Sequence, residues 1–486
     1  MSGWQIENYL EIKNNGLHID GVSAVELAEE FGTPLFVFSQ RRIRENIGRI
    51  KRAERKLDCP LKVCYAAKAN SNMGVLRTVL QSGADLEVNS GGELYKALKI
   101  GFRPRQIIFN GTSKTERELE EAIEAGIYAI QADSIFEIEL TEKVARKLNK
   151  RANISLRLVP EIESDTLSGL QTALLTSKFG MMPGEALEAF RRWEPENEFL
   201  DLCGIHLHIG SQNPKSEPYA EALKTLFENL WQIHNETGHR LKHLNLGGGF
   251  PVNYLRDLAH HGHFSDRQRD FFAADLDPAE VLQSAWAAMK EAAREAEAEH
   301  LLDDIELLVE PGRSVIADAG ICLTTVRNKK ERPIRDLKSQ IPDLNGERSE
   351  IRDPKSQIDI WLLTDAGFNL LLSMETYKWY YQLISAERAG ADHDARYKVA
   401  GPLCDGGDVY FDIEGEGRLP DYRQLPESVG VGEILALLNC GAYSIAQMFP
   451  YNGRELPAVV LIGEGGRIEP IRKRDSYEDL LINDIY

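Results

Sequence analysis

The run Lys62-Val63-Cys64-Tyr65-Ala66-Ala67-Lys68-Ala69-Asn70 decides how this chain is read. Its first half is apolar and has the length of a buried strand, and it stops at a lysine. Similar runs recur at residues 85–89, 106–110, 128–132, 153–159, 202–209, 242–246 and 305–310. Between them lie stretches with apolar residues at helical spacing: 92–100, 115–125 ahead of Gly126, 219–237 and 278–299. Residues 40–56 form one more, ahead of the first run. Strands alternating with helices predict parallel pairing through right-handed crossovers. Eight such units in about 250 residues close most economically as a (β/α)8 barrel. An open doubly wound sheet would show a glycine fingerprint after its first strand, where this chain has Lys68-Ala69-Asn70.

Beyond Gly312 the texture changes. Strand-like runs at 314–327, 358–364, 397–400, 409–413, 433–438 and 458–462 follow without long helices, which predicts a β-rich second domain. Residues 10–20 carry Asn15-Gly16 between two short alternating runs, the pattern of a hairpin that joins that domain. The expected division is therefore residues 1–36 as an N-terminal segment of the β domain, 37–312 as the barrel and 313–486 as the C-terminal β domain. Residues 334–341 (IRDLKSQI) and 351–358 (IRDPKSQI) are near copies. They are polar and proline-punctuated, so residues 329–357 read as a duplicated, mobile surface insertion.

The formal charge of −19 and a pI near 5.2 argue against a general nucleic-acid or anionic-membrane binder. No apolar run has the length of a membrane span, and the N-terminus shows no secretory pattern. Six scattered cysteines without a CxxC pair suit a reduced, cytoplasmic protein, and no metal-ligand spacing is apparent.

A barrel carries its chemistry at the carboxyl ends of its strands. Those ends hold Lys68, His208 with Gly210-Ser211, then Gly247-Gly248-Gly249, and Glu310-Pro311-Gly312-Arg313. Each alone has a plain structural explanation; nothing in folding requires all of them at one rim. Glycines let backbone N–H groups approach a phosphate, and Arg313 adds a charged donor. Lys68 is suited to a Schiff base with an aldehyde, Glu310 to a pyridinium nitrogen, and His208 to stacking on an aromatic ring. A phosphate, an aldehyde and a pyridine nitrogen together describe pyridoxal 5′-phosphate.

These motifs resemble those of the fold-type III pyridoxal-phosphate decarboxylases, which include diaminopimelate, ornithine and arginine decarboxylases. The resemblance rests on Tyr65–Asn70, on His206-Leu207-His208-Ile209-Gly210-Ser211-Gln212, and on Gly247–Phe250. It continues through Glu310–Arg313, Gly401-Pro402-Leu403-Cys404-Asp405 and Gly441-Ala442-Tyr443, with Ser177–Met181 as a further segment. It implies an alanine racemase-like barrel, closest in texture to the diaminopimelate branch. It implies that Lys68 carries the cofactor, that His208 stacks on it, and that Glu310 meets its ring nitrogen. It further implies that Ser211, Gly248, Arg313 and Tyr443 hold the phosphate, with Gly312 among the cofactor-binding residues and Asp85 and Arg157 close by. Cys404 and Asp405 match a loop reached across a homodimer interface, with Cys404 as the proton donor to Cα. Asp365, Ser373 and Tyr377 match substrate-contact positions.

Two departures bear on the substrate. Ser373 stands where the diaminopimelate branch has an arginine for the distal carboxylate, and Asp405 where it has glutamate. The expected activity is α-decarboxylation of a diamino acid, diaminopimelate decarboxylase-like. The alternatives are an ornithine- or lysine-type substrate, or a modified or carrier-linked amino acid. A racemase is disfavoured by Glu310, and a non-catalytic regulator by Lys68 and Cys404.

Overall fold

The computed structural model describes residues 9–159, 162, 166–167, 177–256, 264–333 and 358–485. The expected insertion at 329–357 lies largely outside the described residues, as does the duplication apart from Ile358.

The chain starts with a small antiparallel sheet, β1 (Leu10–Lys13), β2 (Gly16–Ile19) and β3 (Val22–Ser23). The β1–β2 hairpin is real, but its two-residue loop is Asn14-Asn15 and Gly16 already pairs with Lys13. Both asparagines have positive φ, the conformation a tight hairpin turn demands and asparagine tolerates. A helix, Ala24–Phe31, leads to β4 (Leu35–Ser39), which the sequence reading missed. Ser39 then caps the helix Gln40–Lys51 by accepting from the Arg42 N–H.

Eight parallel strands follow and close into a barrel. They are β5 (Leu61–Ala66), β6 (Asp85–Val88), β7 (Ile107–Phe109), β8 (Ala129–Ala132), β9 (Ala152–Arg157), β10 (Leu200–His206), β11 (His243–Asn245) and β12 (Glu306–Val309). Each expected run holds one of them. The run 202–209 overshoots because Leu207 and Ile209 are fully buried although they have left the ladder. The intervening helices also follow the sequence pattern. Thr115 and Glu118 form a reciprocal cap on Glu116–Ala125, and Gly126 ends it with left-handed backbone.

After the barrel the chain turns through a short helix, Arg313–Ile316, before β13 (Gly320–Pro333) begins, so the expected strand at 314–327 starts late. The remaining strands are β14 (Ile358–Thr364), β15 (Leu383–Ser385), β16 (Ala395–Ala400), β17 (Arg423–Leu425), β18 (Ile434–Leu437), β19 (Ala458–Ile462) and β20 (Ile468–Arg472). The expected strand at 409–413 is reduced to one bridge, Ala400 with Val409. These strands and β4 form a second sheet in the order β17-β16-β14-β13-β4-β19-β20, with β18 paired to both β13 and β15. β4 belongs to this sheet by pairing and spans the expected boundary at 36/37. A distinct core of Leu17, Ile19, Leu27, Leu35, Val37, Ile321, Leu323 and Val460 binds the N-terminal sheet to it. Pro333 and Ile358 are cross-strand partners at one end of the β13–β14 ladder.

Candidate active site

The barrel's carboxyl end gathers the rim residues around Lys68. This residue follows β5 in the turn Ala67–Ala69, whose alanines are buried while the lysine side chain reaches solvent. Desolvation by the surrounding mouth works against its charge, but Glu87, Tyr443 and Glu310 outweigh that, and its proton affinity is raised.

Glu310, one residue past β12, is buried and heavily hydrogen-bonded on one oxygen. Its Oε1 accepts from Asn110 Nδ2 (3.0 Å), Gln131 Nε2 (2.9 Å) and Asn245 Nδ2 (2.7 Å). Its Oε2 lies 3.6 Å from His206 Nε2. Burial, with Glu87 adding repulsion, pushes the carboxyl up to about 7. Burial holds both His206 and His208 neutral, His206 with help from Arg157 and His208 with help from Lys68. The Gly248 N–H donates to His208 Nδ1 at 3.0 Å, so the neutral ring carries its proton on Nε2.

The triple glycine has a packing role. A Cβ on Gly248 would stand 2.4 Å from the Glu310 carbonyl oxygen. Gly249 has φ +106°, and a Cβ there would stand 2.6 Å from the Gly210 carbonyl oxygen. Gly247 receives the Glu310 N–H on its carbonyl. These contacts lock the loops after β10, β11 and β12 together. Gly312 lies against Ala66 and Ala69 of the lysine turn.

Arg313 is 7 % exposed. Its Nε donates to Ser211 Oγ (3.2 Å) and its Nη1 to the Tyr254 hydroxyl (3.0 Å). The guanidinium lies 4.1 Å from the Trp379 ring and 4.9 Å from the Tyr443 ring. Among the described residues no carboxylate pairs with it. Tyr443, in left-handed backbone, is tied to the lysine turn by its N–H to the Ala69 carbonyl. Arg157, at the end of β9, is also buried and stacks 4.1 Å over Phe179.

Several expected residues are elsewhere. Asp85 opens β6 and so lies at the barrel's amino end, where it receives Lys62 Nζ (2.5 Å) and Gln106 Nε2 (2.9 Å). Glu87, two residues on along the same strand face, is the carboxylate near Lys68. Asp365 has no free acceptor to offer a substrate. Its carboxylate accepts from Thr33, Thr324, the Thr325 N–H and Arg327, all within 3.0 Å. Ser373 is buried in the short helix Leu372–Thr376, beside Tyr381. The Tyr381 ring packs edge-on against Tyr254, the partner of Arg313. Tyr377 is 37 % exposed and lines a cavity with Phe271, Phe272 and Lys378. Cys404 and Asp405 are exposed; the Cys404 N–H donates to Asn452 Oδ1, and Asp405 accepts from Tyr451. No described contact joins either to Lys68, His208, Glu310 or Arg313.

The sequence reading also passed over a buried polar layer inside the barrel: Glu87, Asn110, Gln131, Ser155, His206 and Asn245. Only its signal of polar residues within otherwise apolar strand runs, as in Asp85-Leu86-Glu87-Val88-Asn89, was available.

An amine that reaches solvent, a carboxylate held by three amides and a buried guanidinium without a counter-ion among the described residues fit pyridoxal phosphate. Lys68 would take the aldehyde, Glu310 the ring nitrogen and Arg313 with Ser211 the phosphate. Residues 43–317 match the family model "Pyridoxal-dependent decarboxylase, pyridoxal binding domain". The chain is 32 % identical over 485 residues to the diaminopimelate decarboxylase of Methanocaldococcus jannaschii, covering 98 % of this chain and 96 % of that one. It is likewise 32 % identical over 475 residues to the enzyme of Aquifex aeolicus, covering 97 % and 96 %. The crystal structure of the M. jannaschii enzyme in complex with L-lysine superposes with a TM-score of 0.80 at 31 % identity, covering 100 % of this chain and 99 % of that one. A family model over more than half the chain, relatives over nearly all of it and a rim built for the same cofactor agree: this chain belongs to the pyridoxal-phosphate-dependent decarboxylases.

Proposed function

We propose that this enzyme removes the α-carboxylate of a diamino acid, with Lys68, Glu310 and Arg313 as the groups that hold the cofactor. The observation that carries this reading is their convergence on one mouth with complementary unmet needs. When bound, the cofactor supplies an electron sink for the bond to CO2. The protein does the rest. Arg313, Ser211 and the glycine loops anchor the phosphate end, with Gly312 and Tyr443 beside them. His208 offers a neutral ring face, and Arg157 closes the rim near Phe179. Glu310 Oε1 is saturated by amides, which leaves Oε2 to accept the ring N–H. Cys404 delivers a proton to Cα, and Asp405 receives the far amino group of the substrate.

The last two residues are exposed in a single chain, so we place them in the mouth of a second copy. Mixed Lys68→Ala and Cys404→Ala subunits would then regain activity by forming one intact site per heterodimer. Absence of recovery after demonstrated subunit exchange would reject the shared site. The six unpaired cysteines support a reducing, cytoplasmic location. Among the described residues no helix is long and apolar enough to cross a membrane. We also propose the division at 36/37 and 312/313 in modified form, with the first boundary moved beyond β4 to 39/40.

The full-length relatives carry the name diaminopimelate decarboxylase, and that substrate class is the first to test. Buried Ser373 favours a second reading, in which the distal carboxylate is absent or masked. Release of CO2 should be measured across meso-diaminopimelate, lysine, ornithine and N-acylated diamino acids. A preference for meso-diaminopimelate of about tenfold, some 1.4 kcal/mol, over all others would sink the second reading. No release from any of them would sink the first as well.

A further inference from the structure

Arg313 is held by hydrogen bonds from two of its nitrogens, and neither acceptor is a carboxylate. Nε donates to Ser211 Oγ in the loop after β10, and Nη1 donates to the Tyr254 hydroxyl in the segment after β11. A guanidinium carries five N–H bonds in one plane, so two bonds from different nitrogens fix how that plane is turned. The other three N–H bonds, one on Nη1 and two on Nη2, have no hydrogen-bonded acceptor among the described residues. A carboxylate in the place of the Tyr254 hydroxyl would orient the guanidinium and also neutralise it. A hydroxyl orients it and leaves its charge for an anion.

Tyr254 is itself fixed. It is fully buried, and its ring meets Trp379 edge-on at 5.1 Å and Tyr381 at 6.2 Å. Trp379, whose ring lies 4.1 Å from the guanidinium, is backed edge-on by Phe271 and Phe272 of the helix Asp266–Phe272. The Tyr254 N–H donates to the Phe272 carbonyl at 2.7 Å. Gln212 then ties the two anchors of Arg313 to each other. It follows Ser211 directly, has left-handed backbone (φ +60°) and is completely buried. Its Nε2 donates to the carbonyls of Val252 (2.7 Å) and Phe271 (2.9 Å), and its Oε1 accepts from the Val252 N–H (3.0 Å). Moving the phenol away from Arg313 would break its ring contacts and pull on these hydrogen bonds.

We infer that Tyr254 is a positioning residue for cofactor binding: its hydroxyl, acting with Ser211, turns Arg313 so that the uncommitted N–H bonds meet the phosphate of pyridoxal phosphate. The inference rests on the proposed phosphate role of Arg313. Because Tyr254 acts through Arg313, its effect belongs to the phosphate end of the cofactor, not to the aldehyde or the ring.

Equilibrium binding of pyridoxal phosphate and of pyridoxal, which lacks the phosphate, to the full-length enzyme tests this. Tyr254→Phe keeps the ring and removes the hydroxyl. It should raise the Kd of pyridoxal phosphate about tenfold, the scale of one hydrogen bond to a charged group. It should also shift the phosphorus-31 resonance of the bound cofactor. The Kd of pyridoxal should be the same in both proteins. In an Arg313→Gln background the Tyr254→Phe change should add nothing, since the group it orients is gone. Gln212→Met, which cuts the tie between the two anchors, should show a smaller weakening confined to the phosphorylated ligand, and serves if Tyr254→Phe does not fold. An unchanged Kd of pyridoxal phosphate in Tyr254→Phe, an equal weakening of pyridoxal, or a full effect in the Arg313→Gln background overturns the inference. Binding of pyridoxal phosphate that Arg313→Gln leaves unaffected would overturn the phosphate role of Arg313 instead.

Discussion

The two ends of the barrel are lined with the same kinds of residue, yet they differ in how charges are met. At the amino end Lys62 is paired with Asp85 at 2.5 Å and lies 4.7 Å over the Tyr128 ring. Tyr128 in turn donates to Glu306 at 2.6 Å, and Gln106 completes Asp85. Lys62, Asp85 and Glu306 there each have a hydrogen-bonded partner. At the carboxyl end Lys68 reaches solvent, Arg313 has hydroxyls and aromatic faces but no described carboxylate, and Glu310 has amides but no hydrogen-bonded cation. Lysine and carboxylate make a structural plug where they meet each other. They make a binding site where each is held apart by the scaffold with its need unmet.

The sharpest way to break this contrast is to remove each lysine. Lys68→Ala should abolish turnover and the borohydride-trapped cofactor adduct, since the covalent attachment is gone. Lys62→Met should leave kcat/KM near wild type and cost about 1.5–3 kcal/mol of stability, because Asp85 loses a charge-assisted partner. If trapped cofactor maps to Lys62 or any other lysine, the two ends have been misassigned.

Glu310 provides the next largest effect. Glu310→Gln should lower kcat about 10²–10³-fold, the scale of one lost electrostatic stabiliser. It also carries a pH signature. The carboxyl of Glu310 is raised from 4.5 to about 7 in the folded chain, so between those values the folded state holds a proton that the unfolded state has lost. Stability from this group is full below about 4.5 and falls as pH rises towards 7. In cofactor-free protein, the thermal midpoint of the wild type relative to Glu310→Gln should therefore fall across this window. A pH-independent difference would contradict the shift.

Asp365→Asn gives a smaller effect of the plug kind. It should cost about 1–3 kcal/mol through its hydroxyl, N–H and Arg327 contacts, with KM for the amino acid unchanged. A raised KM at unchanged thermal midpoint would return Asp365 to the substrate site. The smallest effect is expected from deleting residues 335–352, one copy of the duplicated element. Pro333 and Ile358 remain paired, and a change of loop length costs on the order of 0.6 kcal/mol per doubling. A large loss of activity in folded, cofactor-loaded deletion protein would show that the segment shapes the mouth.

Asp85 and Glu87 show how far the sequence could be read. Both lie on one face of one short strand, and because the rim lies at the carboxyl ends of the strands, chain order already puts Glu87 nearer to it than Asp85. The strand begins at Asp85, so the first lies at the bottom and the second beside Lys68. Asp365 was misplaced because a motif position says nothing about the hydroxyls of Thr33 and Thr324, which arrive from distant segments. β4 was missed because its partners, β13 and β19, come nearly the whole barrel later in the chain.

Local pattern alone determined the alternation of strand and helix, hence the barrel, and placed Lys68, His208, the glycine loop, Glu310 and Arg313 at strand ends. Those are properties of neighbours in the chain, where burial follows a period of two or 3.6 residues. Only the tertiary structure decided which charges meet. The Asn110 amide, which hydrogen-bonds both Glu87 and Glu310, joins three strands or their ends, and the pairing of Lys62 with Asp85 joins two. Electrostatic partnership depends on distances across the barrel, and closure of the sheet, which no single segment encodes, sets those distances.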